Sequence, residues 1–169
     1  MPRITAQAAG GQNVLAFLDM LGWSEIGTAN LAASDDGYNV IVTGIGGKLE
    51  LFSSYADHPF ANGRASKVIN SRGLTSNAAG RYQQMLKDWP HYRDLLKLPD
   101  FGPLSQDRLT IQHIKECGAL PDIAAGRIAV AIAKCSNIWA SLPGNAYGQP
   151  VRPTGDLIAH YVAAGGVMA

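Results

Sequence analysis

Between Asn13 and Glu25 the apolar residues Val14, Leu15, Phe17, Leu18, Met20 and Leu21 recur at spacings of three and four, which predicts an amphipathic helix with one buried face. Asn13 is a candidate cap at its start. The helix runs out through Leu21-Gly22-Trp23-Ser24-Glu25-Ile26 into Gly27, so Glu25 lies at its C-terminal end beside a large aromatic. The helix macrodipole is negative there and disfavours a carboxylate charge. Apolar neighbours disfavour it further. Both effects favour a carboxylic acid that keeps its proton near neutrality, as a general acid must. A solvated helix-end glutamate is the competing reading of the same residue.

The rest of the chain predicts an α+β domain. Residues 1–12 are small and polar and read as a flexible N-terminal arm, leaving 13–169 as a single domain. After a polar segment over 27–37, the β-formers Tyr38 to Val42 read as a strand, Gly44, Gly46 and Gly47 as a turn, and Leu49 to Ser54 as the returning strand. An antiparallel hairpin segregated from helices is the α+β pattern. Residues 60–79 are irregular and rich in Gly, Asn and Ser, a long loop of the kind that is usually functional. With Arg64, Lys67, Arg72 and Arg81, and no acidic residue between His58 and Asp88, this stretch reads either as a cationic wall for an anionic ligand or as a solvated loop. Helices are expected over 79–86, over 91–98 with Pro90 opening or kinking the run, over 106–117 capped by Ser105, in a short piece over 122–125, over 127–135, and from a Thr154 cap to Gly165-Gly166. Residues 136–149 mix aromatics with Gly and Pro, as an exposed binding loop would.

Several function classes are disfavoured. The 169 residues are enough for one sizeable core. A net charge of +1 lacks the basic excess of nucleic-acid binders. No apolar run approaches the roughly 20 residues needed to span a bilayer, so stable membrane insertion is not expected. The N-terminus has no apolar core of signal-peptide length, which predicts synthesis in the cytoplasm. Cys117 and Cys135 show no CxxC or Cys/His spacing and the four histidines are scattered, so neither a metal nor another cofactor is expected and the thiols read as buried and reduced. There is no G-x-S-x-G elbow, P-loop, dinucleotide fingerprint or HExxH.

Polar and aromatic residues group in Tyr55-Ala56-Asp57-His58, in Gly80-Arg81-Tyr82-Gln83, and from Ser136-Asn137-Ile138-Trp139 to Tyr147. Sugars are held by aromatic faces that cover ring C–H surface and by amides that satisfy hydroxyl and acetamido groups. Core aromatics are the alternative for each residue taken singly. A glycosidase usually needs two carboxylates, and the candidates for the second are Asp35, Asp36 and Asp57, for which a turn-forming role is the alternative.

The segments FLDMLGWSE (17–25), GYNVIV (37–42), LFSSYADHP (51–59), AGRYQ (79–83), SQD (105–107), IKECGALP (114–121) and CSNIWASLPGNAYGQ (135–149) closely resemble, in order, the lambda-type bacteriophage endolysins. That resemblance implies a lysozyme-like fold with a glycan groove between a small β-hairpin lobe and a larger helical lobe. It also implies lytic transglycosylase activity on the β-1,4 bond between N-acetylmuramic acid and N-acetylglucosamine, leaving 1,6-anhydro ends. The catalytic glutamate of the family's W-S-E motif falls on Glu25. Gln83 takes a place similar to a sugar-binding glutamine of related transglycosylases. Tyr38, Asn39, Tyr55, Asp57, His58, Arg81, Tyr82, Asn137, Trp139 and Tyr147 are further candidate substrate contacts, and 60–74 and 136–149 correspond to mobile lips. The implied partner is the murein layer, reached by a monomer through a holin-type membrane lesion. Asn39 stands where the type member has Asp, and the turn over 44–48 and the loop over 60–76 are longer. A hydrolytic muramidase using Glu25 with Asp35 or Asp36, and a non-catalytic peptidoglycan-binding phage protein, are the rival readings.

Overall fold

The computed structural model describes residues 1–145 and 150–169. The chain divides into two compact units, Met1–Glu25 with Thr110–Ala169, and Ile26–Leu109.

The first unit is helical. Thr5 caps α1 (Ala6–Ala9), its hydroxyl accepting from the Ala8 amide at 3.2 Å. With Ile4 and Ala9 buried, the expected arm is partly folded. Helix α2 (Gln12–Ile26) follows the predicted span, and its apolar face buries Val14, Phe17, Leu18 and Leu21. Asn13 does not cap it. The Asn13 amide instead donates to the Ile123 carbonyl at 3.1 Å and accepts from the Val167 amide at 2.9 Å, tying the first helix to the chain's end. The α2 helix stops at Gly27, whose φ of 75° suits glycine. The remaining helices of this unit are α6 (Leu120–Ala124), α7 (Ile128–Cys135) and α8 (Thr154–Ala163), with α7 packed on both α6 and α8. At α8 the cap position is Pro153, and Thr154 is the first helical residue. Cys135 is buried and Cys117 half-buried, and both are free thiols.

The second unit holds the strands. The polar segment 27–37 includes α3 (Thr28–Ala32). Strand β1 (Val40–Ile41) pairs antiparallel with β2 (Glu50–Leu51), in the register Val40 to Leu51, so the predicted hairpin is present with shorter strands. The irregular stretch after it folds into a second hairpin, β3 (Lys67–Val68) with β4 (Thr75–Ser76). Residues 79–86 are not a helix. They contribute to a third hairpin, β5 (Ala78–Ala79) with β6 (Gln84–Met85), which extends the first into a four-stranded sheet of order β2-β1-β5-β6. The turn between β5 and β6 needs positive φ at Gly80 (79°) and Gln83 (49°), which a helix cannot supply. Helix α4 (Trp89–Leu96) carries Pro90 in its first turn, as predicted. Ile41, Phe52, Phe60, Ala79, Trp89, Leu98, Phe101 and Leu109 form the core here.

Helix α5 (Pro103–Glu116) begins earlier than predicted, with Asp100 accepting from the Gly102 amide (2.8 Å) and the Ser105 hydroxyl (3.1 Å) ahead of it. Two of its buried polar residues organise the second unit. The Gln106 amide donates to the carbonyls of Tyr38 (3.0 Å) and Phe101 (2.8 Å), and its oxygen accepts from the Arg81 amide (2.9 Å). Asp107 accepts from the hydroxyls of Tyr38 (2.7 Å) and Tyr82 (2.6 Å). No helix among the described residues is long and apolar enough to cross a membrane.

A Cβ at Gly80 would lie 2.2 Å from the Gln106 amide oxygen, at a backbone conformation that L-residues avoid. Gly80→Ala is therefore expected to cost about 2–4 kcal/mol. Urea unfolding monitored by tryptophan fluorescence measures it, and a loss under about 0.5 kcal/mol, the range of neutral surface changes, would contradict the arrangement.

Candidate active site

Glu25 occupies the last turn of α2 and is partly buried. It lines a cavity of about 400 Å³ in the first unit, together with Ser24, Ala140, Ser141, Pro150, Val151 and Arg152. The Ser141 hydroxyl oxygen lies 2.5 Å from Glu25 Oε1 and 3.0 Å from the Ser24 hydroxyl oxygen. Desolvation by burial raises the Glu25 pKa, hydrogen bonds from the Ser141 side chain and backbone and the positive charge of Arg152 lower it, and the net value is raised from the ordinary 4.5 to about 7. The outcome is a carboxyl that gives and takes a proton with nearly equal ease at neutral pH, as an acid–base catalyst requires.

Arg152 is placed by several contacts. Its backbone amide donates to the Ser141 carbonyl at 2.8 Å, Nε faces the Ser24 carbonyl at 3.4 Å, and the guanidinium lies 4.9 Å from the Trp23 ring centroid, within cation–π range. His160 stacks on the same indole at 3.7 Å with 21° between the planes. Trp23 thus braces a cation beside the acid.

The other predicted site residues divide clearly. Trp139 belongs to the first unit but is buried, its ring 6.1 Å from that of His113 in an edge-on arrangement. Asn137 is exposed, with its side-chain oxygen 3.6 Å from the Cys117 sulfur. Tyr147 lies outside the described residues.

The remaining candidates belong to the second unit, and most serve its folding. Tyr38 and Tyr82 are fully buried; burial, followed by Asp107 at Tyr38 and by Tyr38 and Asp107 at Tyr82, pushes their hydroxyls well above the usual tyrosine range. Arg81 is buried too, pairing with the Asp36 carboxylate at 2.8 Å and bonding the Asp36 carbonyl, with its guanidinium 5.5 Å from the Tyr38 ring centroid. The His58 ring accepts from the Phe60 amide at Nδ1 (3.3 Å), so Nε2 donates to the Gln84 carbonyl (3.0 Å) and the ring is a neutral core group. Burial lowers its pKa accordingly. These four side chains are buried and bonded within the second unit, where they serve its folding.

Asp57 accepts from the Trp89 indole at 2.6 Å and from the His58 amide at 2.8 Å. Asp35 accepts from the Tyr55 hydroxyl at 2.7 Å, and Asn39 accepts from the Asp35 amide at 2.9 Å. Gln83 is half-buried and its side chain donates to the Gly80 carbonyl at 3.0 Å, closing the turn. Of the cationic residues from Arg64 to Arg81, Arg81 is interior, Arg64 and Lys67 both pair with Glu50, and Arg72 is exposed, which favours the solvated-loop reading.

Residues 15–168 match the family model described as Endolysin. The chain belongs to that family. It is 60% identical to the endolysin of Escherichia phage P2 over 159 residues, which is 94% of this chain and 96% of the relative. It is 50% identical to the endolysin of Escherichia phage lambda over 155 residues, 90% of this chain and 91% of the relative. Among solved structures, the bacteriophage lambda lysozyme complexed with a chitohexasaccharide superposes with a TM-score of 0.82 at 45% identity, covering 100% of both chains. A second lambda lysozyme structure gives 0.78 at the same identity and coverage. The fold is therefore α+β and lysozyme-like, as the sequence predicts.

Ser141 and Arg152 are the site residues that sequence reasoning misses. The usable signal is the stretch Pro150-Val151-Arg152-Pro153, where two prolines restrict the backbone around a basic residue.

The raised Glu25 pKa has a consequence for stability. Because the folded-state pKa lies above the unfolded value, the native state binds the extra proton and stability falls as pH rises from 4.5 to about 7. Glu25→Gln cannot ionise and escapes this fall. Its stability relative to wild type is expected to improve across that window by on the order of 3 kcal/mol and to stay level above it. Urea midpoints of both proteins between pH 4 and 8 measure the difference, and parallel curves would refute the raised value.

Proposed function

We propose that the chain degrades bacterial peptidoglycan for host lysis as a lytic transglycosylase, with Glu25 as its single catalytic residue. The carrying observation is the half-buried Glu25 carboxyl, tuned to about pKa 7, in a cavity that no other carboxylate lines among the described residues. Asp35, Asp36 and Asp57, the sequence candidates for a second acid, each bond another side chain, Tyr55, Arg81 and Trp89 respectively. The solved lambda relative, complexed with a chitohexasaccharide, supports a glycan strand as the substrate class.

In the reaction, Glu25 donates its proton to the glycosidic oxygen between N-acetylmuramic acid and N-acetylglucosamine as the C1–O bond breaks. Positive charge develops at C1 and the ring oxygen. The resulting carboxylate, steadied by Ser141 and Arg152, takes the proton from the muramoyl C6 hydroxyl while that oxygen bonds to C1. A 1,6-anhydro end forms, Glu25 regains its proton, and no water is consumed. A nucleophile tethered to its own electrophile has a large effective concentration, so no second carboxylate is needed to activate water. A pKa near 7 suits a group that must serve as acid and then as base. Gln83 and Asn137 are proposed sugar contacts. We further propose that the protein acts as a monomer on the periplasmic murein layer, which it reaches from the cytoplasm through a membrane lesion made by a separate holin-type protein.

Mass spectrometry of digested sacculi tests the chemistry: muropeptide ends lighter by one water than hydrolytic ends are expected, and reducing ends alone would reject transglycosylation. Glu25→Gln should slow lysis of purified sacculi by roughly two to four orders of magnitude while remaining folded. Gln83→Ala is expected to raise KM several-fold with kcat little changed, and an unaltered KM would remove Gln83 from the substrate contacts.

A further inference from the structure

We propose that Ser24 is a positioning residue whose hydroxyl, anchored on the Leu21 carbonyl, turns Ser141 so that Glu25 is held in its proton-bearing form. The inference rests on reading Glu25 as the proton donor of the reaction. It follows from counting hydrogens along four groups. Ser24 Oγ lies 2.8 Å from the Leu21 carbonyl oxygen, which can only accept, so the Ser24 proton points there. The 3.0 Å contact between the two serine oxygens must then carry the Ser141 proton, with Ser24 accepting. The Ser141 oxygen stands 2.5 Å from Glu25 Oε1 and, with its own proton given to Ser24, accepts one from the glutamic acid. The neutral acid thus completes a chain in which three protons serve three contacts, ending on a main-chain carbonyl.

Ionisation of Glu25 leaves two protons for the same three contacts. Ser141 then turns its proton to the carboxylate. Ser24 must either abandon the Leu21 carbonyl or face Ser141 with no proton between them. Ser24 is buried, and its hydroxyl cannot exchange a lost partner for bulk water at no cost. Ser24 therefore biases the direction in which Ser141 donates, without touching the reacting atoms. Among the described residues, the groups facing Glu25 are consistent with this. Its own helix presents the neutral Ser24, the segment carrying Ser141 presents a hydroxyl and an amide, and the segment after Pro150 presents the Arg152 guanidinium. Arg152 and the hydrogen bonds that Ser141 gives the carboxylate favour the ionised form, and Ser24 opposes them by drawing the Ser141 proton to itself.

The same chain sets the reset of the catalyst. Once Glu25 has given up its proton, the reoriented Ser141 steadies the carboxylate. When Glu25 recovers a proton from the substrate, the serines return to the arrangement anchored on Leu21.

The test is a direct titration of Glu25 in the intact protein, using the carboxyl ¹³C chemical shift of glutamate-labelled samples, beside the pH profile of kcat. In Ser24→Ala the Ser141 proton is released to the carboxylate. The midpoint should fall by about 0.7 of a pH unit, roughly a fivefold rise in the acid dissociation constant. The alkaline limb of kcat should move down with it at unchanged KM. Ser24→Cys, which fills the same space with a poorer acceptor, is expected to shift the same way should the alanine variant not fold. Ser24→Thr keeps the hydroxyl and should restore the wild-type midpoint. A midpoint unmoved or raised in a folded alanine or cysteine variant, or a threonine variant shifted like them, would overturn the proposal. The titration needs no turnover, so a transglycosylase reading that fails on product masses would leave its outcome readable.

Discussion

The short contact between Glu25 and Ser141 joins residues 116 positions apart in the chain, and the chemistry of the first unit depends on it. A glutamate at a helix end is by default a solvated charge. Here the end of α2 meets a segment that supplies a hydroxyl, an amide and, through Arg152, a cation, while excluding enough water for desolvation to outweigh all three. Desolvation wins, and the net result lies near neutrality. Stronger desolvation would make a poor proton donor of the acid, and a closer cation would strip it of its proton at neutral pH. The contacts of Trp23 with His160 on α8 and with the Arg152 guanidinium help to hold that cation in place.

The second unit shows how residue types suited to binding sugars can instead build a fold. Aspartates, tyrosines, an arginine and a glutamine are concentrated there, and their polar atoms meet one another. Asp107 gathers two tyrosine hydroxyls, Gln106 holds three backbone groups, and Asp57 takes an indole N–H. Short strands of two residues each provide few ladder bonds. Side-chain bridges carry much of the load that longer strands would take, which explains the dense polar interior.

Legibility in the sequence followed the range of the forces involved. The α2 span, its stop at Gly27 and the placing of Glu25 at its end depend on local periodicity and a glycine, and were readable. So were the first hairpin, the role of Pro90 and the α+β class. The stretch 79–86, expected as a helix, instead turns between strands, and its conformation is set by Gln106, whose amide oxygen occupies the space beside Gly80. The polar-aromatic clusters were visible as clusters, but whether a tyrosine faces a ligand or an aspartate is decided by residues such as Asp107, 25 positions from Tyr82. Ser141 could not stand out as a site residue from its type, since a loop serine is commonplace and only proximity to Glu25 gives it meaning.

The Gln106 amide carries a chemical liability of its own. Its nitrogen and oxygen sit among partners of opposite kind, two carbonyls on one side and an N–H on the other. A carboxylate of the same shape would confront both carbonyls with negative charge in a fully buried place. Slow hydrolytic loss of ammonia, harmless at a surface glutamine, would here convert an ageing molecule into one that no longer holds its shape. The same burial that makes the damage severe keeps water from the bond, so the native state shields the atom on which it depends.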